Sequence, residues 1–365
     1  MKIDLQSIDR EQFRVDEHIL NGEVVYLVQP REIGVKWNQT NKIFRSSVWD
    51  SNGESVSLSF FKFPNWGENP ENFPVPTSLK DCVFPQKIDG STLIVSKYKG
   101  NFIIRTRGTL DASLMEKNGH EIELFKSTIL SKLSDFDLDG FSWLFEWVSP
   151  LNRVVILYPE PAWYLIGIVR HSDYRLLEQK SLDVIASERE FKRPALYTFE
   201  SFKDFNDIEA TVSQWKGAEG IVIYSNNGQT LHKMKADDYL AKHRLKSELS
   251  SLEKLVDFWV SQGKPFEYQS FFNMIVDLVD YETACEHRGN ISRIMDAWKE
   301  VQNVVKGITN FVAPLKNSLR KDAALSIVSS YGNTGRTNIA FTLLDSKPLT
   351  DDQYKKLLYQ KLKNK

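Results

Sequence analysis

The patterning of apolar residues changes once along this chain, and that change constrains the fold more than any motif does. From Val24 to about Leu231 the apolar residues fall in short β-rich runs broken by turn residues. Ser91 to Val95, Phe102 to Thr106, Arg153 to Tyr158, Tyr164 to Val169 and Gly220 to Tyr224 read as strands. Beyond about Lys246 the spacing becomes helical: Leu249, Leu252, Leu255, Val256 and Trp259 form one set, and Ile291, Ile294, Met295, Trp298, Val301, Val305 and Ile308 another. A chain of 365 residues has room for two cores. The expectation is an α+β protein, with a domain of antiparallel sheets over 1–245 and an all-helical domain over 246–365. Thr350-Asp351-Asp352-Gln353 spells a capping box for a last helix ending in Lys361, Lys363 and Lys365, read as a solvated face rather than an RNA contact.

Composition narrows the function classes. A formal net charge of -1 leaves no blanket attraction to nucleic acid, so any such binding must come from local basic patches. The cysteines, Cys82 and Cys285, form no C-x-x-C, and the six histidines have no zinc-site spacing. No run approaches the ~20 apolar residues of a membrane span, and Met1 to Gln6 contain no signal-like apolar core. A cytoplasmic protein is expected, with no membrane and no protein partner implied. The proline- and glycine-broken stretches Phe63 to Gly67 and Asn69 to Pro76 read as a loop leading toward Lys87.

Lys87-Ile88-Asp89-Gly90-Ser91 places a lysine between strand-like runs, and the pattern suits a nucleophilic amine. A free lysine has a pKa of about 10.4, so the site must lower it before the amine can attack phosphorus. Lys233 and Lys235, alternating around Met234 on a strand, would point to one face, disfavour a third positive charge and hold phosphate oxygens. The bland alternative for that pair is a solvated strand edge. Glu146, within Trp143 to Val148, and Glu219, ahead of Gly220 to Ile223, are carboxylates among apolar neighbours. Such groups are costly to bury unless paired, hydrogen-bonded or metal-bound. Ribose recognition and Mg2+ ligation are the natural roles beside a nucleotide. Asp135 to Gly140, with Glu146 beyond, matches the EF-hand pattern literally, but the strand-like exit and Pro150 argue for a turn between helix and strand. Gly332 to Thr337 lacks the Gly-Lys-Ser/Thr ending of a phosphate loop and reads as a turn.

Taken together, these segments resemble the covalent nucleotidyltransferases, the superfamily of ATP-dependent ligases and RNA capping enzymes. They are most similar to the phage tRNA-repair RNA ligases of the RNA ligase 1 type. The resemblance covers roughly Lys42 to His243, and Phe145-Glu146-Trp147-Val148-Ser149-Pro150-Leu151-Asn152-Arg153-Val154-Val155 is its most specific block. It implies a nucleotidyltransferase, ATP-grasp-like ligase domain with Lys87 as the adenylated nucleophile and Asp89 and Gly90 shaping its turn. Glu146 would lie on the ribose side and Glu219 would bind the metal, while Lys233 and Lys235 would hold phosphates, with Tyr239 nearby. Arg45 and Lys62 would also touch the ATP phosphates, and Arg107 would join them. Two departures stand out: Arg105 and Arg107 occupy places where the family usually has lysines, and Ser46 stands where a glycine usually follows the upstream arginine.

The implied cofactors are ATP and Mg2+, with Mn2+ as a substitute. In the implied reaction Lys87 attacks the α-phosphate of ATP and releases pyrophosphate, the AMP it then carries passes to an RNA 5′-phosphate, and a 3′-hydroxyl displaces that AMP to seal the strand. Helical periodicity after Lys246 does not fit the OB-fold that DNA ligases and capping enzymes append. Since an all-helical C-terminal domain in the family accompanies repair of cleaved tRNA anticodon loops, the resemblance implies cleaved tRNA as the preferred substrate. A DNA ligase, a capping-type enzyme, or a nucleotide- or RNA-binding protein without turnover are the alternatives. A phage-encoded chain of this kind would act in the host cytoplasm.

Overall fold

The computed structural model describes residues 1–31, 34–114, 119–264, 267–279 and 281–363. These form two compact units, Met1–Leu240 and Ala241–Lys365, divided inside the helix Asp237–Ser250.

The first unit is built on β1 (Phe13–Leu20), β2 (Glu23–Pro30), β3 (Ser47–Asp50), β4 (Ser55–Leu58), β5 (Phe84–Lys87), β6 (Ser91–Tyr98) and β7 (Asn101–Arg105), followed by β8 (Phe141–Val148), β9 (Ala162–Arg170), β10 (Arg175–Leu176), β11 (Leu196–Tyr197), β12 (Gly220–Ser225) and β13 (Thr230–Lys235). They pair antiparallel in three sheets, ordered β1-β2-β3-β4, β10-β9-β8-β6-β7 and β11-β5-β12-β13. The α+β class, with antiparallel sheets and a helical C-terminal region, is as the sequence indicates.

Strand β8 is central and buried along nearly its whole length. Successive side chains of a strand point to opposite faces. Trp143, Phe145 and Trp147 enter one core with Ile122 and Phe125, while Leu144 joins Phe60 and Ile94 on the other side. The same parity puts Glu146 on the Leu144 face. The turn ahead of β8 is capped reciprocally, Asp137 N donating to Ser134 Oγ at 3.3 Å and Ser134 N to Asp137 Oδ2 at 2.7 Å. The EF-hand-like pattern is therefore a helix-to-strand turn.

One expected strand is absent: Arg153 to Tyr158 is irregular. The amides of Val155 and Ile156 donate to the Asp89 carboxylate at 2.8 and 2.7 Å, where a strand would have spent them on a neighbouring ladder. The Phe63 to Pro76 segment is a loop as expected, but it docks on β13, with Trp66 N donating to Lys233 O and Lys233 N to Pro64 O.

In the second unit, Leu249 and Leu252 belong to different helices, because Ser251 caps a new one, Leu252–Ser261. The second apolar set lies on Arg288–Val312, where Trp298 packs edge-on against Trp259 at 4.8 Å and Tyr354 at 5.2 Å. The last helix, Asp351–Lys363, opens on the expected capping box, with Thr350 N on Gln353 Oε1 and Gln353 N on Thr350 Oγ1. Lys361 pairs with Glu300 at 3.0 Å and Lys363 is exposed, while Lys365 lies outside the described residues. Gly332 to Arg336 link two helices as a turn. Among the described residues no helix is long and apolar enough to cross a membrane.

Candidate active site

Register assembles the first part of the site. Gly220, which opens β12, pairs with Lys87 at the end of β5 and with Lys235 at the end of β13. Glu219, one residue earlier, therefore lies between two lysines: its Oε2 is 2.8 Å from Lys87 Nζ and its Oε1 is 2.9 Å from Lys235 Nζ. Its carboxylate is buried.

Asp89 and Gly90 fix the turn after Lys87. Asp89 Oδ2 accepts the amides of Val155 and Ile156, and its Oδ1 accepts the Tyr239 hydroxyl at 2.7 Å, tying the turn to an irregular loop and to a helix. At Gly90 a Cβ would stand 2.3 Å from Trp147 O, so only glycine lets the turn lie against β8. That closeness brings Glu146 under the turn, its Oε1 accepting from Gly90 N at 3.2 Å and its Oε2 from Thr92 Oγ1 at 3.1 Å.

A set of cations lies against aromatic rings. Arg45 and Lys233 share the ring of Phe63, at 5.5 and 5.6 Å from its centroid, and Lys62 lies 5.9 Å from that of Trp37. Lys62 is also 3.7 Å from the half-exposed Glu68. Among the described residues no carboxylate pairs with Arg45 or Lys233. Arg107 is exposed, and its charge reaches Arg45. Lys235 lies 4.9 Å from the centroid of Tyr239. Lys87, Glu146, Glu219, Lys235 and Tyr239 thus share one cluster, and Arg45, Lys62, Lys233 and Arg107 an adjoining one coupled to it through Lys233.

A family model described as RNA ligase, of the T4 RNA ligase 1 type, matches residues 43–249, more than half of the chain. The chain belongs to this RNA ligase family. A protein of Autographa californica nuclear polyhedrosis virus, provisionally named a bifunctional polynucleotide kinase/RNA ligase, is 29% identical over 241 residues. That match takes in 60% of this chain and 33% of the viral protein, so the chain spans about a third of its curated relative. Among solved structures, form 2 of an archaeal ATP-dependent RNA ligase matches with a TM-score of 0.44 and 11% identity, over 80% of this chain and 76% of that one. A Naegleria gruberi RNA ligase mutant with ATP and Mn matches with a TM-score of 0.38 and 12% identity, over 64% and 79%.

The electrostatics of this family member reverse one sequence-based expectation. Burial alone would depress Lys87, but Glu219, Glu146 and Asp89 outweigh it and hold the ammonium above its ordinary pKa. Lys62 is lowered by burial, and Lys233 further, to about 7, by burial and then by Arg45, Lys62, Lys87 and Lys235. Three carboxylates face Lys87 where the sequence pointed to cations, because the lysines of β13 divide: Lys235 engages Glu219, whereas Lys233 joins Arg45 over Phe63. Arg45 is itself lowered to about 10, by burial and then by Arg107.

Glu146 is raised to about 7, by burial first, with Lys87 opposing. An acid with a raised folded-state pKa stabilises the fold fully below its unfolded value and loses that contribution as pH climbs through the folded one. Here the window runs from the ordinary 4.5 to about 7. Glu146→Gln should therefore raise the melting temperature at pH 8 relative to wild type, with little change at pH 4.5. Thermal melts across that range check this, and equal melting temperatures at pH 8 would contradict it.

Among the described residues no group of three or more His, Cys, Asp or Glu side chains gathers into a metal cage. Asp89 spends its oxygens on two amides and a hydroxyl. Glu219 and Glu146, coupled through their charges, fit a cation that takes one or two carboxylates and completes its shell with water and phosphate. Sequence reasoning missed Thr92, Tyr158, whose hydroxyl accepts from Asp89 N, and the amide trap of Asp89. The K-x-D-G spelling was the only available signal for these contacts.

Proposed function

We propose that this protein is an ATP-dependent RNA ligase that joins 5′-phosphate and 3′-hydroxyl RNA ends through a lysyl-AMP intermediate. The observation that carries the reading is the single cluster made by Lys87, Glu219, Lys235 and Glu146 in a chain of the RNA ligase family. Lys87 is held ready, protonated, on Glu219. Drawing the Glu219 carboxylate away from the amine removes the main attraction that keeps the proton, while Arg45, Lys62, Lys233 and Arg107 neutralise the polyphosphate. A divalent cation, when bound, supplies positive charge at the transferring phosphate, and Glu219 with Glu146 would hold it. Tyr239 acts through Asp89, keeping the nucleophile turn in place. Mg2+ is the expected metal and cleaved tRNA the expected substrate, in the cytoplasm.

The deciding assay offers nicked anticodon stem-loop RNA, linear single-stranded RNA and nicked duplex DNA, each with a 5′-phosphate, after charging with labelled ATP or GTP. The expected result is label from ATP on the protein and sealing of the anticodon loop. Preference for nicked DNA would move the assignment to a DNA ligase, and charging by GTP to a capping-type enzyme. ATP binding without covalent label would leave a binding protein.

A further inference from the structure

Arg105, the last residue of β7, is fully buried, and among the described residues no carboxylate pairs with it. A guanidinium has five N–H donors, and here all are spent on neutral oxygens. Nε donates to Ser57 Oγ at 2.7 Å, Nη1 to Ser46 Oγ at 2.9 Å and Thr106 O at 3.1 Å, and Nη2 to Ser46 O at 3.1 Å and Ser57 O at 3.0 Å. Burying a charge with no counter-ion is costly, and packing alone would be served by a neutral side chain. The cost shows in its pKa, which burial brings down to about 9.

The bonds fall beside two residues of the cation cluster. Ser46 follows Arg45, and Thr106 precedes Arg107. Ser46 Oγ, while accepting from Arg105, donates to Arg107 O at 2.9 Å, so one serine holds both segments. On the far side, Ser57 Oγ accepts from Ser96 Oγ at 2.7 Å. Ser96 contacts Ser142 Oγ at 2.7 Å, and Ser142 contacts His171 Nε2 at the same distance. The three serines are fully buried and anchor the guanidinium to β4, β6 and β8. Ser46 and Arg105 thus meet in one contact.

We propose that Arg105 is a positioning residue that, through Ser46 and Thr106, sets Arg45 and Arg107 for the polyphosphate of the nucleotide substrate. It rests on reading those two arginines as phosphate contacts. Arg105 itself touches no substrate.

The test compares Ser46→Ala and Arg105→Lys, each alone and in an Arg45→Ala/Arg107→Ala background, by the ATP dependence of covalent adenylate formation. Ser46→Ala loses only one hydroxyl and keeps the measurement available should the buried Arg105→Lys unfold. Each single variant should raise the half-saturating ATP roughly fivefold, the scale of one or two lost hydrogen bonds, with the plateau rate changed less than about twofold. Neither should add anything in the double-alanine background, since coupled residues are not additive. A full additional loss in that background, or a fall in plateau rate alone, overturns the positioning role. If the double-alanine protein binds ATP as wild type does, the phosphate-contact reading fails first and takes the proposal with it.

Discussion

Lys87→Arg is expected to form no covalent AMP adduct while keeping its fold. Arginine can still reach the Glu219 carboxylate that holds the Lys87 ammonium at 2.8 Å, so the buried acid keeps a partner and the sheet end keeps its charge balance. What arginine cannot do is release its proton in the working pH range, and a nucleophile needs a free electron pair. The loss in adenylation should exceed about a thousandfold, the scale seen when a covalent nucleophile is removed. Mass spectrometry of ATP-treated protein reads it directly, and an adduct at position 87 in the variant would refute the assignment. A second readout separates nucleophile from scaffold. Sealing of RNA supplied already adenylylated at its 5′ end bypasses the lysine, so it should persist in Lys87→Arg. Loss of both activities would mean that the substitution had damaged the site as a whole.

The electrostatic arrangement explains why this variant is informative. A ligand-free site that kept Lys87 neutral would leave Glu219 buried beside a lone Lys235. Pairing both lysines with one carboxylate satisfies the buried charges, at the cost of raising the pKa that the proposed reaction needs lowered. On the proposed reading, nucleotide binding does electrostatic work, and the partly neutralised Lys233 beside Arg45 and Lys62 lies where polyphosphate charge would be welcomed.

How far this was legible in the sequence depends on range. Helical spacing found the long helix Arg288–Val312, and short apolar runs found strands such as Gly220–Ser225, because both rest on local periodicity. The identities of Lys87, Glu219 and Lys235 as neighbours came through family resemblance, since only antiparallel register brings residues this far apart in sequence together. The sign of the Lys87 shift could not be read at all: it depends on Glu219, Glu146 and Asp89 closing on the amine from separate segments of the chain. Arg153 to Tyr158 misled for a related reason, as its apolar content suits a strand but its amides are claimed by a side chain 66 positions away in one case and 67 in the other. Arg105 stands in the sequence only as a departure from the family's usual lysine, and its burial depends on neighbours that no local pattern shows.

Gly220→Ala should be the most destabilising single-methyl change in the site. The residue has φ of +142°, a region L side chains rarely adopt, and a Cβ there would lie 2.0 Å from Met234 O and 2.8 Å from Lys235 Cα. Both obstacles are backbone of the paired strand β13, so no rotamer change relieves them. Relief requires β12 and β13 to part where the ladder joins Gly220 to Lys235 and to Lys87. Such strain costs on the order of 3 kcal/mol or more. For a unit of this size that lowers the melting temperature by roughly 6 to 12 °C. The functional loss should exceed what stability alone predicts: parting the strands moves Glu219 from between its lysines, so adenylation should fall at least about tenfold even well below the melting transition. Circular dichroism melts and adenylation measured at low temperature test the two halves separately. A melting temperature within a degree of wild type would mean that the strand ends tolerate the methyl group, and the close approach at Gly220 would then not be what sets the Glu219 geometry.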